Sequence, residues 1–140
     1  MRGSPHKPSA GMHAVDTNII VRYLTGDDPV QADKARALIG YAPVFVARTV
    51  LLEVEWVLRS VYELAPQWII PALRAFAGLP GVSVEDSRLV AKAMDWAEGG
   101  MDLADALHLA AAGGCEDFLT FDKRFARSAA RVNGISVTVI

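Results

Sequence analysis

Short apolar segments alternate along the chain with longer segments that have helical periodicity. The short segments predict strands at His13–Asp16, Val44–Ala47, Val82–Val84, Phe118–Phe121 and Ile135–Ile140. The longer ones predict helices at Asn18–Leu24, Gln31–Ile39, Thr49–Leu64, Pro66–Ala77, Ser87–Glu98, Asp102–Ala112 and Lys123–Arg131. Strands that alternate with helices favour an α/β fold. We expect a three-layer α/β/α sandwich with a mostly parallel central sheet of about five strands.

The first eleven residues, MRGSPHKPSAG, differ from the rest because they lack hydrophobic periodicity and carry only positive charges. We interpret residues 1–11 as a flexible leader or an expression remnant, and residues 12–140 as one folded domain. Without Arg2 and Lys7 the domain has 12 basic residues against 16 acidic ones. That balance is unusual for a nucleic-acid binder, so a function on nucleic acid would need something that offsets the negative charge.

No apolar run approaches the roughly 18 residues that would cross a bilayer, and the N-terminus has no hydrophobic signal region. Cys115 is the only cysteine, which excludes an internal disulfide and a multi-cysteine zinc site. We expect it to be a small buried thiol. These features predict a cytoplasmic protein that does not associate with membranes.

Two aspartates occupy equivalent places in the predicted fold. Asp16 and Asp122 each follow an apolar strand and precede a helix. In open parallel sheets, ligands bind beyond the carboxyl ends of the strands, so both residues are candidates for chemistry. Each could equally be a helix N-cap, for which aspartate is a preferred residue.

The helix predicted from Thr49, with Thr49 as its cap, contains two glutamates with different expected roles. Its apolar face is predicted to consist of Val50, Val54, Val57 and Val61. Glu53 borders this face, where a carboxylate needs a partner. Glu55 is expected to project into solvent and to pair with Arg59, four residues later. Glu53 is therefore the better candidate for a site.

Asp102 and Asp105 are three residues apart at the start of a predicted helix, so they share one face. Asp102 suits the N-cap, whereas Asp105 continues a stripe that is expected to face the protein. Carboxylates gathered in one crevice repel one another, and a hard divalent cation removes that repulsion. Mg²⁺ and Mn²⁺ prefer oxygen ligands and can also bind a substrate phosphate, which would offset the charge of an acidic protein.

Four segments together resemble, in order and spacing, the PIN-domain nucleases, and most closely the VapC-type toxins of toxin–antitoxin pairs. They are VDTNIIVRYLTGDDP (Val15–Pro29), TVLLEVEWVLRSVY (Thr49–Tyr62), DLADALHLAAA (Asp102–Ala112) and LTFDKRF (Leu119–Phe125). The resemblance implies that the catalytic, metal-binding carboxylates are Asp16, Glu53, Asp105 and Asp122. It further implies an accessory acidic position at Asp102 and site-arranging residues at Asn18 and Thr120.

The same resemblance implies a Mg²⁺- or Mn²⁺-dependent endoribonuclease that cleaves structured RNA such as tRNA or rRNA, forms a homodimer and is silenced by a cognate antitoxin. Two alternatives remain: a PIN nuclease in RNA maturation or decay, and a non-catalytic PIN scaffold. A phosphoaspartyl phosphatase is disfavoured because Asn18 stands where that mechanism needs a second aspartate.

Basic residues follow the last aspartate of the set. Lys123, Arg124 and Arg127 are candidates for RNA phosphate contacts, with Arg131 expected on the same helical stripe. The alternative is a solvated basic face. Arg22 and Arg48 also lie near strand ends, with less support. His108 could reach a metal or substrate, although a hydrogen-bonded helix histidine is the expected role.

Overall fold

The computed structural model describes residues 7–140, so Met1–His6 of the predicted leader lie outside the described residues. Residues 7–11 form neither helix nor strand. The chain divides into two compact units, Met1–Ser87 and Arg88–Ile140. None of the helices within residues 7–140 is long and apolar enough to span a lipid bilayer.

The first unit is built around a parallel three-stranded sheet in the order β1-β2-β3. The strands are β1 (His13–Ala14), β2 (Val44–Val46) and β3 (Val82–Val84), with β2 paired on both sides. All three residues of β2 are buried, as expected for a central strand covered on both faces. β1 is shorter than the predicted strand His13–Asp16 and its two residues are exposed, so that only Val15 of the predicted segment is buried.

Four helices belong to the first unit: α1 (Thr17–Thr25), α2 (Pro29–Tyr41), α3 (Arg48–Ser60) and α4 (Pro66–Ala77). α1 packs against α2 and α3, and α3 packs against α4. α1 ends at Gly26, whose φ of 71° is left-handed backbone that glycine adopts without strain. The chain then turns directly into α2, which begins at Pro29 with Asp28 as its N-cap.

The second unit contains α5 (Ser87–Glu98), α6 (Leu103–Ala111), β4 (Phe118–Thr120), α7 (Lys123–Ala129) and β5 (Val137–Val139). β4 and β5 form a parallel pair, against which α7 packs. Parallel strands joined through helices confirm a helix-rich α/β protein. A single central sheet of five strands is not confirmed, because the described strands form separate sheets of three and two.

The exposed face of α3 differs from the prediction. The buried residues are Leu51, Val54, Glu55 and Leu58. Val61, which was expected to be buried, is 63% exposed. α3 also begins at Arg48 after Ala47, which makes no side-chain cap, so the predicted Thr49 cap is wrong. The prediction that Cys115 is buried is wrong too, since this thiol is exposed.

Candidate active site

Asp16 is the N-cap of α1. Its backbone is extended, and its Oδ1 accepts a hydrogen bond from the backbone N–H of Ile19 at 3.2 Å. This contact satisfies one of the amides that a helix start leaves without an intrahelical partner. The carboxylate is thereby fixed at the positive end of the α1 dipole, directly after β1.

Glu53 is exposed on α3 and is held by a threonine from another helix. The hydroxyl of Thr17, the first residue of α1, donates to Glu53 Oε1 at 2.5 Å. Thr17 is one of only two buried polar or charged residues found in the described chain. A buried hydroxyl needs a hydrogen-bond partner, so this contact fixes Glu53 near the N-terminus of α1. Thr17 was not among the site residues predicted from the sequence, although its place between Asp16 and Asn18 was an available signal.

Asp122 caps α7 in the same manner, with two contacts. Its Oδ1 accepts hydrogen bonds from the backbone N–H groups of Arg124 at 2.9 Å and Phe125 at 3.1 Å. The hydroxyl of Thr120 in turn accepts a hydrogen bond from the Asp122 backbone N–H at 2.9 Å. Thr120 therefore fixes the main chain that carries Asp122, and its role in arranging a site stays a prediction.

Asp102 is also an N-cap, with its Oδ2 accepting a hydrogen bond from the backbone N–H of Asp105 at 3.1 Å. Asp105 is half-buried in the first turn of α6. Burial raises the pKa of Asp105 most, and the negative charges of Asp102 and Asp122 raise it further, while His108 lowers it. Asp105 thus lies close enough to Asp102 and to Asp122 for their negative charges to act on it.

The three capping aspartates of the candidate site share a feature that matters for chemistry. Each uses one carboxylate oxygen for its helix: Oδ1 in Asp16 and Asp122, and Oδ2 in Asp102. Within residues 7–140 the second oxygen of each accepts no hydrogen bond. The N-cap interpretation is therefore correct for all three, and it still leaves one oxygen of each carboxylate available to a ligand.

In the part of the chain that the structure describes, no three histidine, cysteine, aspartate or glutamate side chains are arranged so that they could hold a metal ion. The repulsion that raises the pKa of Asp105 acts over longer distances than direct coordination does. The donor chemistry still suits Mg²⁺ or Mn²⁺, because every candidate ligand is a carboxylate oxygen.

The basic candidates have different surroundings. Lys123, Arg124 and Arg127 are exposed on α7, and none lies within ion-pair distance of a carboxylate among residues 7–140. Arg131 lies beyond the helix, because α7 ends at Ala129 rather than at Arg131 as predicted. Arg48 contacts Glu85 at 3.6 Å and Asp86 at 3.4 Å, so it holds its own unit together.

His108 is exposed on α6, where its predicted hydrogen bond is absent from the described residues. Asn18 is exposed in the first turn of α1, beside Asp16. Arg22, one turn after Asn18, is held by neighbours from other segments: it donates to Gln31 Oε1 at 2.8 Å and to the hydroxyl of Tyr62 at 2.9 Å. The contacts of Arg22 could not be predicted from sequence, because its partners are 9 and 40 residues away.

A comparison with protein-family models matches residues 14–131 to the PIN domain. No curated protein and no solved structure matches the chain significantly. The matched range contains all four carboxylates of the predicted set, Asp16, Glu53, Asp105 and Asp122. Because the match spans well over half of the chain, the protein belongs to the PIN domain family, which has a nuclease-type fold and whose members generally act on RNA, commonly with divalent metal ions.

Proposed function

We propose that this chain is a Mg²⁺- or Mn²⁺-dependent endoribonuclease whose catalytic, metal-binding carboxylates are Asp16, Glu53, Asp105 and Asp122. The observation that carries the proposal is the state of its aspartates. Asp16 and Asp122 are each fixed by a helix start through one oxygen, with the other oxygen free of protein partners among residues 7–140. Membership of a family of nucleases adds independent support.

The reaction is hydrolysis of a phosphodiester, in which water supplies the new P–O bond and the departing sugar oxygen takes up a proton. A bound divalent cation would polarise the phosphate and lower the pKa of the attacking water. The chain itself contributes preorganisation. Thr17 holds Glu53, Thr120 holds the backbone of Asp122, and the α1 and α7 starts hold two of the carboxylates. Asn18 helps to arrange the site, and Asp102 is an additional ligand.

The substrate is structured cellular RNA such as tRNA or rRNA, with Lys123, Arg124 and Arg127 contacting phosphates. We further propose that the chain is the toxin of a toxin–antitoxin pair, a cytoplasmic homodimer restrained by a cognate antitoxin. The resemblance of the four sequence segments to VapC-type toxins supports this role over RNA maturation. The folded domain spans residues 12–140.

Purified protein incubated with total RNA tests the enzymatic function. Cleavage should require Mg²⁺ or Mn²⁺ and should stop when EDTA is added. No cleavage with either metal would favour a non-catalytic PIN scaffold. Brief induction in cells, followed by mapping of new RNA 5′ ends, tests the toxin role separately. New ends confined to one precursor processing site would favour a maturation nuclease instead.

The proposed metal site also predicts a change in thermal stability. Because the pKa of Asp105 is raised, the folded chain holds this proton more tightly than the unfolded chain does. The free energy of unfolding therefore falls as pH rises from below the ordinary value through the raised pKa, and charged Asp105 destabilises the fold at neutral pH. A cation that binds only the folded state should raise Tm. At a concentration one hundred times its Kd, such a cation adds about 2.7 kcal/mol to the free energy of unfolding.

Asp105→Asn should lose most of this metal-induced gain in Tm. Without metal the variant should melt close to wild type, because relief of repulsion opposes the loss of a first-turn charge worth about 0.3–1 kcal/mol. Thermal melts with and without millimolar Mn²⁺ measure the difference. Asp117→Asn, an exposed change in the same unit, should keep the full gain. An undiminished gain in Asp105→Asn would remove Asp105 from the metal site and favour Asp102.

A further inference from the structure

A groove of about 380 Å³ lies between α1 and α2 and begins at the candidate site. Asp16 and Asn18 contribute to it from the start of α1, and Arg22 contributes one turn further along. Lys34 and Leu38 line the opposite side, from α2. All of these residues belong to the first unit, and α1 packs directly against α2. The groove therefore extends from a proposed metal ligand along two fixed helices.

The arginine in this groove is held in place before any ligand binds. Its Nε donates to Gln31 Oε1 at 2.8 Å, and its Nη1 donates to the hydroxyl of Tyr62 at 2.9 Å. That hydroxyl donates to Asp27 Oδ2 at 2.9 Å, and Arg22 itself lies 3.7 Å from the same carboxylate oxygen. Asp27 thus neutralises part of the charge of Arg22. Because the network already fixes the guanidinium, the Arg22 side chain loses less conformational entropy when a ligand binds to it.

The lysine in the groove has no such neutralising partner. Lys34 is exposed, and among residues 7–140 no carboxylate lies within ion-pair distance of its ammonium group. Lys34 therefore keeps its full positive charge beside the candidate site. An ammonium in this position complements a phosphate.

The remaining lining residues suit the other parts of a nucleotide. Asn18 and Gln31 carry amide groups that can hydrogen bond to base edges, and Gln31 Oε1 is occupied by Arg22, which leaves its NH₂ group to donate. Ile19 and Leu38 offer partly exposed apolar surface on which a base or ribose can pack. Cation, amide and apolar surface occur together within one groove, a combination typical of sites that bind a polar ligand in a defined orientation.

We propose that the groove between α1 and α2 binds the RNA strand immediately beside the bond that is cleaved. Lys34 contacts a backbone phosphate, and Asn18 and Gln31 contact a base. Arg22 keeps the part of the groove beyond Asn18 in a fixed conformation. This inference rests on the proposed ribonuclease function and names the path of its substrate. A protein segment is the less suitable occupant, because the unneutralised Lys34 and the two amides match a nucleotide better than an apolar peptide face.

Equilibrium binding tests the groove without cleavage. A short single-stranded RNA of mixed sequence is titrated into the Asp122→Asn protein, followed by fluorescence anisotropy at several salt concentrations. Adding Lys34→Ala should raise Kd by about threefold and reduce the slope of log K against log salt by about 0.7, the value for one lost phosphate contact on a single strand. Lys34→Glu should weaken binding further.

The matched control is Arg36→Glu on the same helix. Arg36 lies two residues from Lys34, which places it on nearly the opposite side of α2, and it does not line the groove. Arg36→Glu changes the net charge as Lys34→Glu does. It should leave Kd almost unchanged if the contact is local rather than a general charge effect. Equal weakening by Lys34→Glu and Arg36→Glu would overturn the proposal.

Cleavage kinetics separate failure of this inference from failure of the proposed function. With otherwise wild-type protein, Lys34→Glu should raise KM and leave kcat nearly unchanged. Normal KM and Kd in Lys34→Glu, alongside normal RNA cleavage, would overturn the groove and leave the ribonuclease intact. If Lys34→Glu weakened the binding of a protein partner but not of RNA, the proposed RNA groove would likewise be overturned. If the wild type cleaves no RNA, the proposed function fails, and the binding titration alone decides whether the groove takes RNA.

Discussion

Replacing Asp122 with asparagine should abolish metal-dependent RNA cleavage and leave the fold intact. The amide oxygen of asparagine can still accept the hydrogen bonds from the Arg124 and Phe125 amides, so α7 keeps its N-cap. The negative charge of a proposed metal ligand is lost, however. Substitution of a residue that only supports a metal ligand typically lowers activity about 10–100-fold. Substitution of the ligand itself should therefore lower activity by more than about 100-fold.

Asp122→Ala then separates the two roles of this side chain. Alanine removes both the charge and the cap, so this variant should lose activity equally and also lose about 0.5–2 kcal/mol of stability. RNA cleavage with Mn²⁺ and denaturant melts measure the two effects independently. Asp16→Asn should behave as Asp122→Asn does, because Asp16 caps α1.

Asp28→Asn is the control for this series. Asp28 caps α2 through a contact with the Gln31 amide, and asparagine also tolerates its left-handed backbone. The control makes the same chemical change at the same type of position outside the proposed carboxylate set, and it should retain full activity. Wild-type cleavage rates in Asp122→Asn would show that this aspartate is a helix cap and nothing more.

Glu53→Gln and Glu55→Gln should affect different properties although they make the same change two residues apart. Glu53 is exposed and bonds only Thr17 within residues 7–140, so Glu53→Gln should lose more than about 100-fold in cleavage with little change in stability. Glu55 is only 6% exposed and receives two hydrogen bonds from Arg59, at 2.7 and 3.3 Å.

Glu55→Gln should therefore lose stability rather than activity. Charged hydrogen bonds are worth about 1.5–3 kcal/mol, and we expect about 1–2 kcal/mol here because the Arg59 side chain is 42% exposed and can be rehydrated. Denaturant unfolding and RNA cleavage of both variants provide the comparison. Loss of activity in Glu55→Gln while its fold remains intact would contradict this assignment. Normal activity in Glu53→Gln would also show that the site had been assigned to the wrong glutamate.

Local sequence signals predicted most elements well. The predicted bounds of Pro66–Ala77, Ser87–Glu98 and Val82–Val84 coincide with α4, α5 and β3. Proline at a helix start and the Gly78–Gly81 turn act through the local backbone, so short-range rules were sufficient there. The N-caps at Asp16, Asp102 and Asp122 are local contacts too, and the local sequence indicated each of them as a possible cap.

The orientation of α3 could not be predicted in the same way. Apolar residues occur all around this helix, from Leu51 to Trp56 and Val61, so its periodicity permits more than one buried face. Because charged residues are generally exposed, Glu55 was predicted to lie in solvent. In the structure Glu55 is buried, and its pairing with Arg59 satisfies the buried charge. Contacts between distant segments, such as Thr17 with Glu53, depend on tertiary packing that no local pattern encodes.

Asp16 and Asp122 each cap a helix and are each a proposed metal ligand. This combination of roles has a consequence for how the family's sequences diverge. Every aspartate codon becomes an asparagine codon by a single G-to-A transition, and asparagine is among the few residues that preserve a helix N-cap. With Asp16 and Asp122 as the proposed metal ligands, a lineage that no longer needs cleavage can lose either carboxylate in one mutational step without destabilising α1 or α7. Folded but inactive descendants of this chain should carry asparagine, serine or threonine at these two positions far more often than alanine or valine.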